Sequence, residues 1–175
     1  TAGRTGTFTL ELHPPSGWES LIPSAPIELQ ADDVVDLNPM WIRPTHAVDL
    51  PTEAADVLLA EGLTVSFDPA TATVPGGETQ LFGAAVDPVQ LLPNPLGDVV
   101  AAYYLGPYDT RASSGFGLAI ENSWNLNAGE FVQVYVNEHD GSGSWIMAGE
   151  LEGGEALLQG SATIPRFASV VLVRK

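Results

Sequence analysis

The chain has 175 residues, 45% of them hydrophobic, enough to bury a core as one domain or as two small lobes. Its 22 acidic residues face only six basic ones, and the resulting formal net charge of −16 at pH 7 excludes phosphate backbones and anionic lipid surfaces as natural partners. Cysteine is absent, which removes disulfides and thiolate metal sites, and no apolar run of about 18 residues offers a membrane span.

The 18 glycines and 14 prolines are interleaved with apolar runs, so they read as turns between many strands. Thr7 to Leu12 alternates with period two and is the first expected strand, ended by His13-Pro14-Pro15. Ile27 to Gln30 and Val34 to Ile42 follow as strands, then an irregular passage from Pro44 to Pro51. The stretch from Pro51 to Ala60 has a proline and acids at its start, as a helix would. At barely two turns it is read instead as a strand or a single turn.

From Gly62 the pattern sharpens. Leu63 to Phe67 and Thr79 to Asp87 are expected to be strands, and Val99 to Leu105 fits a strand buried on both faces. Further strands are expected at Phe116 to Glu121, Glu130 to Asn137, Ser144 to Ala148, Ala156 to Gln159 and Phe167 to Arg174. Turns every 8–12 residues or so indicate an all-β antiparallel sandwich or barrel. The expected division is a small β lobe, or packed N-terminal strands, over residues 1–60 and a main β-sandwich over 61–175. No basic n-region marks a signal peptide, and the start at Thr1 suggests a processed form or a piece of a longer polypeptide.

Reaction chemistry finds little footing. His13, His46 and His139 lack HxH or HxxxH partners and read as loop histidines. The segment Ser113-Ser114-Gly115-Phe116-Gly117 has no nucleophile-elbow pattern, and lysine occurs only at position 175, so a phosphate-binding GxxxxGK[ST] loop and an internal lysine cross-link are both absent. Glu121, Glu130, Glu138, Glu150, Glu152 and Glu155 fall at strand ends or loops, where solvated carboxylates are ordinary.

Two binding chemistries remain. Calcium could be held by loop oxygens, with Asp109, Asn137 and Asp140 as candidate ligands and Asp32, Asp33 and Asp36 as further oxygen sources, although no DxDxDG loop is present. A sugar ring could stack on an exposed aromatic face. Trp124, between Ser123 and Asn125, is the candidate platform, with Asn122 and Asn125 as polar neighbours. Trp41 and Trp145 lie in alternating runs and are expected in the core.

Tyr104-Leu105-Gly106-Pro107, the run from Gly117 to Asn122, Leu126 to Tyr135, and Gly143-Ser144-Trp145 with Ala148-Gly149 resemble the ZU-type, immunoglobulin-like β-sandwich of ankyrins, zonula occludens proteins, netrin receptors and modules of bacterial surface proteins. The resemblance spans roughly residues 62–175 and implies a structural or interaction role. Some relatives cleave themselves at a His-Phe-Ser sequence. The corresponding Arg166-Phe167-Ala168-Ser169 lacks both the histidine and the adjacent serine, which speaks against self-cleavage. Residues 1–60 resemble, more faintly, the tail of a carboxypeptidase-regulatory-like β-domain.

The sequence therefore reads as a non-enzymatic module of a secreted or cell-surface protein, partnered by neighbouring domains or another surface protein, with no cofactor unless calcium. The alternatives are a carbohydrate-binding module and, more distantly, an autoproteolytic domain.

Overall fold

The computed structural model describes residues 6–10, 16–20, 25–29, 41–88, 97–137 and 144–175. Among them there is no α-helix. The strands in chain order are β1 (Gly6–Leu10), β2 (Glu19–Ser20), β3 (Ala25–Leu29), β4 (Trp41–Ile42), β5 (His46–Asp49), β6 (Ala55–Ala60), β7 (Leu63–Phe67) and β8 (Ala72–Thr73). They continue as β9 (Gln80–Val86), β10 (Val99–Gly106), β11 (Arg111–Ile120), β12 (Phe131–Asn137), β13 (Trp145–Glu152), β14 (Gln159–Arg166) and β15 (Ser169–Arg174).

Ten of these strands form one antiparallel path in the order β5-β9-β10-β15-β12-β13-β14-β11-β7-β6, with β8 attached to β11. The sheet curls until it is nearly a barrel. Strand β14 makes the bend, because Gln159–Ala162 pair with β13 whereas Thr163–Arg166 pair with β11. Strands β12, β13 and β14 follow one another as hairpins and β11 lies beside β14, so residues 121–130 form the crossover of a Greek key. Strands β5 and β6, which precede residue 61, are hydrogen-bonded to β9 and β7 within this same sheet. Two short ribbons, β1–β3 and β2–β4, form separate two-stranded sheets.

Alternation along the strands divides the apolar residues into two clusters. Val170 and Leu172 of β15, Tyr103 and Leu105 of β10, and Val132, Val134 and Val136 of β12 face the interior. There they meet Leu63 and Val65 of β7 and Phe116 of β11. The Phe116 ring lies 4.6 Å from Phe167 and 6.0 Å from Phe67, centroid to centroid. Each such large apolar side chain contributes about 1.5–3 kcal/mol by leaving water. The opposite face of the same strands carries the second cluster, with Val171, Val173, Tyr104, Ala102, Ala84 and Val86. Ile42 from β4 packs on it, so the β2–β4 ribbon covers part of the outer face.

Several elements depart from the sequence-based expectation. The passage from Pro44 to Pro51 contains β5, a four-residue strand flanked by prolines as edge strands tolerate. The Pro51 to Ala60 stretch, by contrast, holds a strand, one of the two forms expected of it: β6, with Leu59 and Ala60 both buried at a register shift between Leu58 and Ala60. Residues 155–156 bend, Leu157 makes an isolated bridge to Glu121, and the strand begins only at Gln159, running through Gly160, Ser161 and Pro165. Of the expected strand from Val34 to Ile42, only Trp41 and Ile42 fall within the described residues.

Trp145 packs half-buried on the outer cluster rather than in the interior, and its indole N–H is buried without an acceptor among the described residues. Trp41 is likewise only half-buried.

Candidate functional site

The crossover at residues 121–130 holds the sequence's sugar-site candidates. Asn122 uses its whole amide within the protein. Its Oδ1 accepts from the Leu126 N–H at 2.9 Å, and its Nδ2 donates to the carbonyls of Leu126 and Gly154 at 2.8 and 2.6 Å. Trp124 is half-buried against the main core, and Leu126 is fully enclosed. Asn125 is exposed in the left-handed region, at φ 52°, a conformation asparagine tolerates better than most residues. Asn122 thus clamps the crossover from within, while Trp124 packs on the core and Asn125 faces outward.

The far side of the loop is tied down equally. Glu130 Oε2 accepts from the backbone and side-chain nitrogens of Asn127 at 2.6 and 2.8 Å, and these bonds hold its carboxyl below the usual range. Gly129 donates to Glu152 at 2.7 Å. A Cβ on Gly153 would fall on the carbonyl oxygens of Leu126 and Asn127, so the loop lies directly on that glycine.

The calcium candidates are scattered. Asp109, with φ 67°, turns the chain between β10 and β11, and its Oδ1 sits 2.7 Å from Arg111 Nε and 3.6 Å from Arg166 Nη1. The hydrogen bond from Arg111 to this carboxylate raises the guanidinium pKa further. Burial, reinforced by Asp109, also raises that of the adjacent Tyr108 phenol. Two guanidiniums at one carboxylate oppose a cation there. Asn137 ends β12 opposite Trp145, while Asp140, His139, His13 and Asp32, Asp33 and Asp36 lie outside the described residues. Among the described residues, no three His, Asp or Glu side chains gather as metal ligands.

The place the sequence reading missed is the seam between the two ends of the sheet. A groove of about 530 Å³ lies there, lined by β5 with Thr45 and Pro51 and by Asp56, Val57 and Leu58 of β6. Among the described residues, β5 pairs only with β9 and β6 only with β7. Leu50 donates to Thr79 at 3.0 Å. The alternation of an antiparallel ladder then turns Val48 toward β9, and the N–H and C=O of Ala47 and Asp49 away from it into the seam.

The seam is pinched at one point, where β6 crosses β9. A Cβ on Gly83 would fall on the Leu59 carbonyl oxygen, and only glycine permits that approach. His46 lies opposite Gly83 in the ladder, with its Nδ1 3.1 Å from Thr45 Oγ1. It is a strand residue, not the loop histidine the sequence suggested. From the pinch, β5 leads to Asp49 and β6 leads back to Asp56.

Asp49 accepts from Gln80 at 3.0 Å and Asp56 from Ser66 at 2.7 Å, both neutral donors, and no described cation pairs with either.

The self-cleavage position is an interior crossing from β14 to β15. Phe167 and Ala168 are wholly buried, the Phe167 N–H bonds Thr110 and the Ala168 carbonyl accepts from Leu105. Comparison with protein-family models, curated proteins and solved structures finds no match for this chain.

Proposed function

We propose that this is a non-catalytic interaction module that takes a partner by strand addition at the β5–β6 seam. The observation that carries this reading is the groove bounded by two strands, each of whose outer edges is unpaired among the described residues. An exposed edge offers fixed backbone donors and acceptors to an extended segment, and adjacent side-chain pockets supply selectivity. Edges left open in this way are ordinarily short or charged. β5 is four residues long and both walls carry aspartate, so the seam resists indiscriminate pairing while leaving room for a matching strand.

The near-barrel, with its Greek key over β11–β14, is compatible with a flattened immunoglobulin-like sandwich of the ZU type. Such a module belongs in a larger secreted or cell-surface protein, where neighbouring domains or another surface protein would provide the strand. The sugar-binding alternative draws less support, because the Asn122 amide is already saturated and Trp124 lies partly in the core.

Backbone amide exchange tests the proposal. A neutral peptide of alternating valine and serine, added in excess, is expected to slow exchange at Ala47 and Asp49. Slowed exchange at the 121–130 crossover alone, or with a glycan instead of the peptide, would overturn it.

A further inference from the structure

The seam also specifies what kind of strand it takes. Resting on the strand-addition reading, we infer that the occupant is an extended segment of another chain in which apolar residues alternate with lysine or arginine.

Side-chain parity gives the first half of that pattern. Val57 is buried, and His46 and Val48 are half-buried, so these residues form the inner side of the groove. Ala47, Asp49, Asp56 and Leu58 are exposed and form its rim. A strand added along the open edge of β5 therefore directs every second side chain inward onto an apolar surface, where small or β-branched residues fit.

The intervening side chains emerge between Asp49 and Asp56, which stand on opposite walls. Among the described residues each carboxylate has a single neutral hydrogen-bond donor and no cation, so a positive group placed between them gains from both. Leu58, 47% exposed at the same rim, offers apolar surface to the aliphatic stem of a lysine or arginine whose head reaches the carboxylates.

Charge also decides against a second copy of this chain. Two seams facing each other would bring four aspartates together, and the chain has only one lysine, at position 175, with no basic alternating run to donate. The net charge of −16 would steer a cationic segment inward and repel an acidic one.

The test compares peptides of alternating Val-Lys, Val-Ser and Val-Glu by calorimetry, with amide exchange at Ala47 and Asp49 as the local readout. The expected order of affinity is Val-Lys, then Val-Ser, then Val-Glu, with the Val-Lys affinity falling as salt rises. In the double variant Asp49→Asn and Asp56→Asn, which keeps an oxygen for Gln80 and Ser66, Val-Lys should bind about tenfold more weakly and Val-Ser unchanged. An unchanged thermal midpoint verifies the fold of that variant. A Val-Lys peptide N-methylated at alternate residues should lose binding.

Equal binding of the three peptides, with protection of Ala47 and Asp49 in each case, overturns the cationic specificity and leaves strand addition standing. Absence of protection with all three overturns both. Val-Lys binding that survives N-methylation and spares Ala47 and Asp49 marks general charge attraction, and also overturns the inference.

Discussion

The crossover at residues 121–130 and the β5–β6 seam are both places where the sheet ends, and they treat their polar groups in opposite ways. In the crossover, Asn122, Glu130 and Glu152 hydrogen-bond the loop's own backbone, the Asn127 amide donates to Glu130, and Leu126 is buried in the core. In the seam, the outward backbone groups of Ala47 and Asp49 meet no described partner strand. Trp124, with Asn122 and Asn125 nearby, drew attention in the sequence, yet there the Asn122 amide is already committed. On the strand-addition reading, binding capacity resides where hydrogen-bonding groups are left over, and this depends on pairing rather than residue type.

The sharpest way to break the contrast is at the pinch that holds the seam in shape. Gly83→Ala would drive a methyl into the Leu59 carbonyl and crowd that of Tyr104. Backbone on both sides cannot yield as a side-chain tip would, so a loss of about 3 kcal/mol or more is expected, read as a drop in the denaturation midpoint. The alternative outcome, a stable variant with unaltered amide exchange along β5, would mean that β6 does not depend on this approach.

A second expectation concerns the interior beneath the crossover. Burial, with smaller contributions from Glu121 and Glu61, pushes the Tyr103 phenol up to about 12 from its ordinary 10. The folded protein keeps that proton when the unfolded chain has released it. The stabilisation is therefore complete below pH 10 and is lost as pH climbs through 12, amounting to about 2–3 kcal/mol in total. Tyr103→Phe should flatten this alkaline decline in denaturant titrations, and a decline equally steep in the variant would assign it elsewhere.

Asn122→Ala ranks next. It removes the partners of the Leu126 N–H and of two carbonyls in a part-buried setting, and should cost about 2 kcal/mol. Exchange should accelerate at Leu126 while Ala47 and Asp49 stay as they were, since no bond of Asn122 reaches the seam. If Trp124 and Asn122 instead formed a sugar platform, Asn122→Ala would abolish glycan binding with little change in stability.

How far the sequence foretells this depends on which kind of order is involved. Period-two runs such as Phe131 to Asn137 and Leu63 to Phe67 reveal strands, because one-sided burial imposes that alternation. Strand β14 escapes because Gly160, Ser161 and Pro165 are poor strand residues. They are held there by β13 and β11, which are distant in sequence. Strand β5 escapes because prolines enclose it and its pairing to β9 spans more than thirty positions.

The same reason hides the seam. Nothing local to Asp49 or Asp56 indicates that they border one groove, and the signal available was only a six-residue run of mixed polarity between Pro44 and Pro51. Closure of the sheet at β6 over β9 required the three-dimensional position of Gly83, which as a lone glycine in a strand could at most announce a close approach.

The smallest effect separates the two regions by acid. Glu130 is fully exposed, but its hydrogen bonds from Asn127 hold its carboxyl below the unperturbed value of 4.5. A group depressed on folding stabilises above its unfolded pKa, and that contribution fades as pH falls through the lower, folded value. Acidification below about pH 4.5 should therefore loosen the 127–130 turn first, seen as faster exchange at Asn127, whose N–H loses its charged acceptor. Glu130→Gln should produce the same loosening at neutral pH, because the amide retains an oxygen but not the charge. The amides of Ala47 and Asp49 should follow neither change. If they respond together with Asn127, the crossover and the seam move as one unit, and the division of labour between them is wrong.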